Sequence, residues 1–202
     1  MELSVSIEEH LSCSSSTHRR LCPRQVLGVR MARFACVWLG IDPALQRGRL
    51  FVYMENGHCV ADGVIAVTYA SPTNHYMQLL PYGKMAATFV NLETGRAIRV
   101  CEHPNSRQAG VDFLPDVASP WQAQLQAYQS MPDDMLLSWQ PVELIAALPK
   151  LPGKHKVICE QCGDHVHEHC EVLLDGLILC KACADGAYYR VVEAASSDLP
   201  VL

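Results

Sequence analysis

Apolar residues recur at helical spacing in the first part of the chain. Over residues 25–39 they return with the period of one face of an α-helix. Pro23 suits the first turn of such a helix, and Gly40 is typical of the position just past its end. The pattern predicts the main buried helix of a first domain. Further helices are predicted over residues 3–16 and 59–70.

Segments rich in β-branched and aromatic residues predict the strands. They lie at 49–55 and 75–80, and the segments 85–92 and 96–101 flank a turn at 93–95, which predicts a hairpin. The strands follow one another instead of alternating strictly with helices. This order favours an α+β fold, with a mixed or antiparallel sheet and packed helices, over a doubly wound sheet.

A segment with two prolines, a glycine and three lysines, residues 148–156, is the predicted linker. It divides the chain into a core domain over residues 1–150 and a small C-terminal domain with a tail over residues 151–202. Prolines punctuate the end of the core domain, where residues 104–150 carry no recognisable motif. Three helical segments are predicted there, at 105–111, 119–130 and 141–148.

Composition limits the classes of partner and compartment. Half of the 202 residues are hydrophobic and 18% are charged, which is typical of a globular protein. A net charge of −5 argues against nucleic acid as a partner. The first ten residues are acidic, unlike a signal peptide, and the longest apolar run, 25–41, contains Arg30 and Arg33. We therefore expect a soluble, cytoplasmic protein without a membrane partner.

Four of the ten cysteines form two C-x-x-C pairs near the end of the chain. Cys159 and Cys162 make the first pair, and Cys180 and Cys183 follow after seventeen residues. Two residues between cysteines let both thiolates reach one ion, and zinc prefers four such ligands in a tetrahedron. A redox-active motif would need only one pair beside a βαβ unit. The spacing predicts a structural zinc site.

The residues around the two pairs predict the shape of this zinc module. Gly163 allows a tight turn after the first pair, and Asp175-Gly176 between two apolar runs predicts a hairpin. A short helix is predicted over 181–188. Knuckle, hairpin and ligand-bearing helix together describe a treble-clef zinc finger over residues 157–186. Such a closed site stabilises the fold and does not catalyse.

Three histidines alternate between the cysteine pairs. His165, His167 and His169 would face one side of the first strand of the predicted hairpin. Two interpretations follow: a second metal site, or a solvated strand face.

Several residues of the core domain have the chemistry of a reactive site. His18 and Cys22 precede one predicted helix, Cys59 and Asp62 begin another, and Lys84 lies between two strands. Helix N-termini lower the pKa of thiols and attract anions. Two thiolates and a histidine would form an incomplete metal site with open positions. The alternative is that the cysteines are small buried hydrophobic residues.

Three segments resemble the FmdE family, which takes its name from formylmethanofuran dehydrogenase. They are HRRLCPRQVLGVRM at 18–31, NGHCVADGV at 56–64 and PYGKMAATFVNLETGRAIRV at 81–100. The resemblance covers about residues 7–103, and a finger like that at 157–186 occurs in many members. It implies an α+β core that is often dimeric, a treble-clef zinc finger, and a polar cleft near the His/Cys motif that can hold a metal ion.

The resemblance also assigns candidate residues by position. His18 and Cys22 match the histidine and cysteine of the first family motif. Cys59 matches a family cysteine, and Asp62 matches the acidic residue that follows it. A second divalent metal in the core domain is therefore expected at these four residues.

The chain departs from the family motif at two positions. Arg20 replaces the second motif histidine and Arg24 replaces a glycine. A guanidinium cannot coordinate a metal, but it binds carboxylate or phosphate groups well. Arg20, Arg24 and Lys84 are therefore candidates for binding an anionic substrate. Arg96 and Arg99 either add to this positive charge or lie on a solvated strand.

Three functions remain open from the sequence. The resemblance implies a metal-binding accessory or small-molecule-binding factor, linked to one-carbon and molybdenum or tungsten enzyme metabolism and acting as a homodimer. The second hypothesis is an enzyme in which Cys22 or Cys59 is nucleophile or metal ligand, with His18 as base and Asp62 as its orienting carboxylate. The third is a zinc-finger module that contacts a protein partner.

Overall fold

The computed structural model describes residues 1–16, 20–145, 147–148 and 155–190. The backbone divides into two compact units, Met1–Leu148 and Pro149–Leu202. Most of the predicted linker, at 149–154, and the predicted tail from 191 onward lie outside the described residues. No helix in the described ranges is both long enough and apolar enough to cross a membrane.

The helices of the first unit begin and end at recognisable signals. Ser6 Oγ accepts a hydrogen bond from the Glu9 N–H, and the Glu9 carboxylate accepts one from the Ser6 N–H, which caps the first helix. Gly40 ends the second helix in the left-handed conformation, at φ 71°. The helices are α1 (Ile7–Ser15), α2 (Pro23–Leu39), α3 (Cys59–Thr68), α4 (Ser106–Phe113), α5 (Pro120–Ser130) and α6 (Asp133–Leu136), with a 3-10 turn at Pro72–Asn74.

One mixed sheet of five strands forms the centre of this unit. The strands are β1 (Leu50–Met54), β2 (Met77–Leu79), β3 (Ala86–Asn91), β4 (Ala97–Glu102) and β5 (Leu137–Val142), in the order β2-β1-β3-β4-β5. The pair β1–β2 is parallel and the other pairs are antiparallel. The predicted α+β class and the predicted hairpin are confirmed.

The prediction of a helix at 141–148 was wrong. Residues 137–142 form β5, an edge strand that pairs with β4, and Pro141 lies opposite Ile98. Proline has no N–H to donate within a ladder, so an edge strand is where a sheet tolerates it. Pro141 equally prevents a helix from running through this position.

The two faces of the sheet have different neighbours. Val52, Phe89 and Ile98 belong to the main core, which also contains the buried faces of the helices α1 to α3. The opposite face carries a smaller apolar cluster around Phe51 and Val90. Beside that cluster the carboxylate of Glu55, only 5% exposed, receives two hydrogen bonds from Arg99 at 2.6 and 2.9 Å.

Helices α2 and α3 approach closely enough to exclude a side chain at their crossing. A Cβ at Gly28 would lie 2.1 Å from the carbonyl oxygen of Val60, and one at Gly63 would lie 2.3 Å from that of Gln25. Both neighbours are backbone atoms of the other helix, so they cannot rotate away. The glycine pair therefore sets the distance between α2 and α3.

The second unit contains two short ladders and one short helix. The ladder β6–β7 joins Lys156–Ile158 to His165–His167, and β8–β9 joins Glu171–Leu174 to Leu177–Cys180. The hairpin predicted around Asp175-Gly176 is confirmed. The helix α7 (Lys181–Asp185) follows at once and ends three residues before the predicted end.

The placement of the three alternating histidines was predicted incorrectly. They do not lie on the first strand of the hairpin, because β7 pairs with β6 and the hairpin begins at Glu171. His165 and His167 are on β7, but His169 leaves it in a turn with φ 59°. The side chain of His169 consequently does not continue their alternation.

Candidate metal centre and ligand cavity

The four cysteines predicted as zinc ligands come together in the second unit. The Sγ atoms of Cys159, Cys162, Cys180 and Cys183 all lie within 4.8 Å of one another, and those of Cys162 and Cys180 are 3.9 Å apart. A tetrahedral zinc ion with Zn–S distances of about 2.3 Å places its ligand sulfurs roughly 3.8 Å apart. The donor set therefore fits zinc.

Backbone donors and crowding prepare this cluster for a cation. N–H groups of Cys162 and Cys180 hydrogen-bond to the Cys159 sulfur and lower its pKa to about 6. The hydrogen-bonded Cys180 thiol, together with burial, raises the pKa of Cys183 to about 12. Four thiols this close cannot all ionise without a counter-charge. A divalent cation supplies that charge and deprotonates all four.

A cavity of about 380 Å³ lies in the first unit where α2 and α3 begin. Cys22, the residue before α2, and Cys59, the first residue of α3, both line it. Charged and aromatic side chains complete its wall: Arg24, Glu102, Arg107, Trp121 and Tyr128. The cavity thus combines two thiols, both signs of charge and two aromatic rings.

The position of Cys22 is fixed by a buried amide. Gln25 is fully buried, and its Oε1 accepts a hydrogen bond from the Cys22 N–H at 3.0 Å. Its Nε2 donates to the carbonyl oxygen of Ser14 at 2.7 Å. The end of α1 and the start of α2 are therefore held together through one side chain.

Cys59 has a raised pKa, although it begins a helix. Burial is the main cause, and the neighbouring Cys22 thiol, which hydrogen-bonds to it, is the next. The charge of Asp62 acts in the same direction. The general expectation that a helix N-terminus lowers a thiol pKa therefore does not hold for this residue. Cys59 carries less thiolate at neutral pH than a free cysteine does.

The far wall of the cavity is a hydrogen-bonded group that the sequence did not reveal. Glu102 Oε1 accepts from Ser106 Oγ at 2.9 Å and from Tyr128 Oη at 3.3 Å, and Tyr128 Oη also donates to Ser106 Oγ at 3.1 Å. Burial raises the pKa of Tyr128. Arg107 Nε lies 3.7 Å from the same carboxylate oxygen.

The other core candidates are placed differently. The guanidinium of Arg20 stacks on the Trp121 ring, 5.1 Å from its centre, and Arg24 lines the cavity directly. Lys84 is exposed and does not belong to the lining. Arg96 stacks on Trp38 at 4.4 Å, while Arg99 pairs with Glu55. These last two arginines serve the sheet and not the cavity.

The structure brings only part of the predicted core metal set together. Cys22 and Cys59 meet, but His18 lies outside the described residues. Within those residues no third histidine, cysteine or carboxylate completes a three-ligand cluster with the two thiols. Two soft ligands facing a cavity form an open coordination site, which needs further ligands from a bound molecule, from water or from the rest of the chain.

An α+β core with a thiol-lined cavity, followed by a four-cysteine module, defines a metal-binding class of protein. The chain belongs to the FmdE family: the family model described as "FmdE, Molybdenum formylmethanofuran dehydrogenase operon" matches residues 17–138. The crystal structure of an FmdE-like protein of tungsten formylmethanofuran dehydrogenase, from Syntrophus aciditrophicus, shares the fold. It has a TM-score of 0.62 and 22% identity, and the match covers 94% of this chain and 98% of that one.

A longer relative is similar over most of this chain. A "Probable S-adenosyl-L-methionine-binding protein" of Archaeoglobus fulgidus is 25% identical over 197 residues, which is 87% of this chain and 52% of the relative. The chain therefore spans about half the length of this curated relative.

Proposed function

We propose that this protein is a metal-binding accessory factor of one-carbon and molybdenum or tungsten enzyme metabolism. In this proposal the four-cysteine cluster holds a structural zinc ion, and the cavity between α2 and α3 binds a small polar molecule. The observation that carries the second part is the meeting of Cys22 and Cys59 in a cavity lined by charges of both signs. The metabolic link rests on membership of the family.

The charges of the cavity favour a ligand with an anionic group. Two helices direct their N-termini towards it, and such termini attract anions. Arg24 and Arg107 add guanidinium groups that match carboxylate or phosphate. Glu102 offers a counter-charge for a cationic group, and Trp121 and Tyr128 offer surfaces for a flat ring.

The sequence relative suggests the first ligand to test. S-adenosyl-L-methionine carries a carboxylate, an ammonium, a sulfonium and an adenine ring, and the cavity has a chemical counterpart for each of these groups. We therefore propose it as the probe for the cavity.

The thiols suit metal binding better than nucleophilic catalysis. A nucleophilic cysteine needs a lowered pKa, because the thiolate is the reactive form. The pKa of Cys59 is raised by burial and by Cys22. A metal ion removes this obstacle, since coordination deprotonates a thiol outright. The enzyme hypothesis that uses Cys59 as nucleophile is therefore the weaker alternative.

Metal content of the purified full-length chain tests the core metal. We expect Cys22→Ser/Cys59→Ser to bind about one metal ion per chain fewer than wild type, because two thiolates are lost. Cys13→Ser is the matched control, since Cys13 is an exposed thiol outside the cavity. Equal metal content in wild type and the double variant would exclude a core metal under the conditions used.

Calorimetric titration with S-adenosyl-L-methionine tests the cavity. Arg24→Met and Glu102→Gln should each weaken binding by about tenfold or more, because each removes a charged partner. Lys84→Met removes a cation outside the cavity and should leave affinity unchanged. Absence of binding to wild type would reject this ligand, and equal losses in all three variants would reject the cavity as the site.

A further inference from the structure

We propose that the second unit carries another metal site, distinct from the four cysteines, formed by His155, His169 and Glu171. The ligand would be a divalent first-row transition-metal cation such as zinc. Two imidazoles and one carboxylate form a ligand set that such ions accept, and three protein ligands leave a coordination position open.

The ligand atoms are already close enough to share an ion. One ligand atom from each residue lies within 4.8 Å of the other two. Glu171 Oε1 is 2.9 Å from His155 Nε2 and 3.9 Å from His169 Nδ1. Zinc bonds of about 2.0–2.2 Å to nitrogen and oxygen place tetrahedral ligands roughly 3.3–3.6 Å apart. The two observed distances lie on either side of that range, so small side-chain rotations suffice.

The two histidine rings are arranged as neutral imidazoles. Their centres are 4.0 Å apart and their planes are inclined by 13°, so the rings are stacked. Two imidazolium cations at this separation would repel each other. The neutral ring is the form that binds metals.

Glu171 has an oxygen that lacks a partner. Its Oε2 is buried and has no hydrogen-bond partner among the residues that the structure describes, while Oε1 contacts His155. A buried carboxylate oxygen is unfavourable without a compensating contact. A bound cation would provide one.

The chain makes this cluster from segments that need not otherwise meet. His155 comes just before β6, and its carbonyl oxygen accepts a hydrogen bond from the Glu168 N–H at 3.1 Å. Glu168 and His169 both take positive φ values, 60° and 59°, which turn the chain away from β7. This turn carries His169 onto His155, whereas His165 and His167 remain exposed on β7.

Cobalt titration of the full-length chain distinguishes this site from the others. In a Cys22→Ser/Cys59→Ser background, the first equivalent of Co²⁺ should fill the four-cysteine cluster and give intense thiolate charge-transfer bands. A second equivalent should give only weak d–d bands, because its ligands are nitrogen and oxygen. His169→Ala and Glu171→Gln should weaken the second event by at least about tenfold, since they remove direct ligands.

His167→Ala is the matched control, because it removes a neighbouring histidine that is not in the cluster. It should leave both binding events unchanged. The charge-transfer bands report in each variant whether the module is folded, and Glu171→Gln tests the site where a histidine change disturbs that fold. The proposal is overturned if the background protein binds cobalt at the cysteines alone, or if His167→Ala weakens the second event as much as His169→Ala.

Discussion

Substituting Gly63 by alanine tests whether the close crossing of α2 and α3 sets the geometry of the first unit. The added methyl group would lie 2.3 Å from the carbonyl oxygen of Gln25 and 2.8 Å from the amide nitrogen of Val29. Ordinary contacts of a Cβ atom begin at 3.4 Å, so the helices must separate by roughly 1 Å.

Two effects of opposite sign determine the magnitude. Overpacking against backbone atoms costs about 3 kcal/mol, at the upper end of the usual range, because neither neighbour can rotate away. Alanine is favoured over glycine inside a helix by about 1 kcal/mol. We therefore expect Gly63→Ala to lower the free energy of unfolding by about 2 kcal/mol.

Urea unfolding followed by tryptophan fluorescence measures this change in the first unit alone. The three tryptophans, Trp38, Trp121 and Trp139, all lie there. With a slope of about 2 kcal/mol per molar urea, the midpoint should fall by roughly 1 M.

Gly57→Ala is the matched control for the assay. A Cβ at Gly57 meets nothing within 4 Å and the residue has no positive φ, so the change should stay within about 0.5 kcal/mol. Both variants reduce the entropy of the unfolded chain in the same way. If Gly63→Ala proves as stable as Gly57→Ala, the crossing is not tight, and the inferred cause of the Cys22–Cys59 approach is wrong.

Three further predictions concern charge, pH and metal. Arg99→Met should cost about 3 kcal/mol in urea unfolding because it leaves the buried Glu55 uncompensated, and adding Glu55→Gln should recover part of the loss. Burial and the charge of Arg33 lower the pKa of His10 from 6.5 to about 4, so the unfolded chain binds the extra proton. Stability should therefore fall by up to about 3 kcal/mol as the pH drops through this interval, and His10→Asn should remove that dependence. Chelation with EDTA should abolish the amide protection of Val166 while leaving tryptophan fluorescence unchanged, and a shift of both signals would contradict separate units.

Local signals explain why much of the fold could be predicted from the sequence. Proline at the start and glycine after the end bound α2, and apolar periodicity supplies its buried face. The paired cysteines carry their own spacing rule, so their meeting in one cluster required no knowledge of the tertiary structure. The same holds for β3 and β4, which adjoin a short turn.

Tertiary contacts explain what could not be predicted. Glu102 and Tyr128 face one cavity only because α5 packs beside α2, and no local pattern marks either residue. His155 meets Glu171 across sixteen positions only through the turn at Glu168. Residues 141–148 contain apolar residues at spacings that suit a helix, but pairing with β4 prevails up to Val142.

The two edge strands also limit how copies of this chain can associate. At one edge β2 offers only three residues, and at the other β5 contains Pro141 and is held to α2 by the contact of Trp139 with Phe34 at 4.5 Å. Short strands and proline at an edge discourage the addition of a strand from another molecule. The fold is therefore protected against growth of the sheet into intermolecular β-aggregates, and a dimer formed through the first unit is expected to bury helices instead.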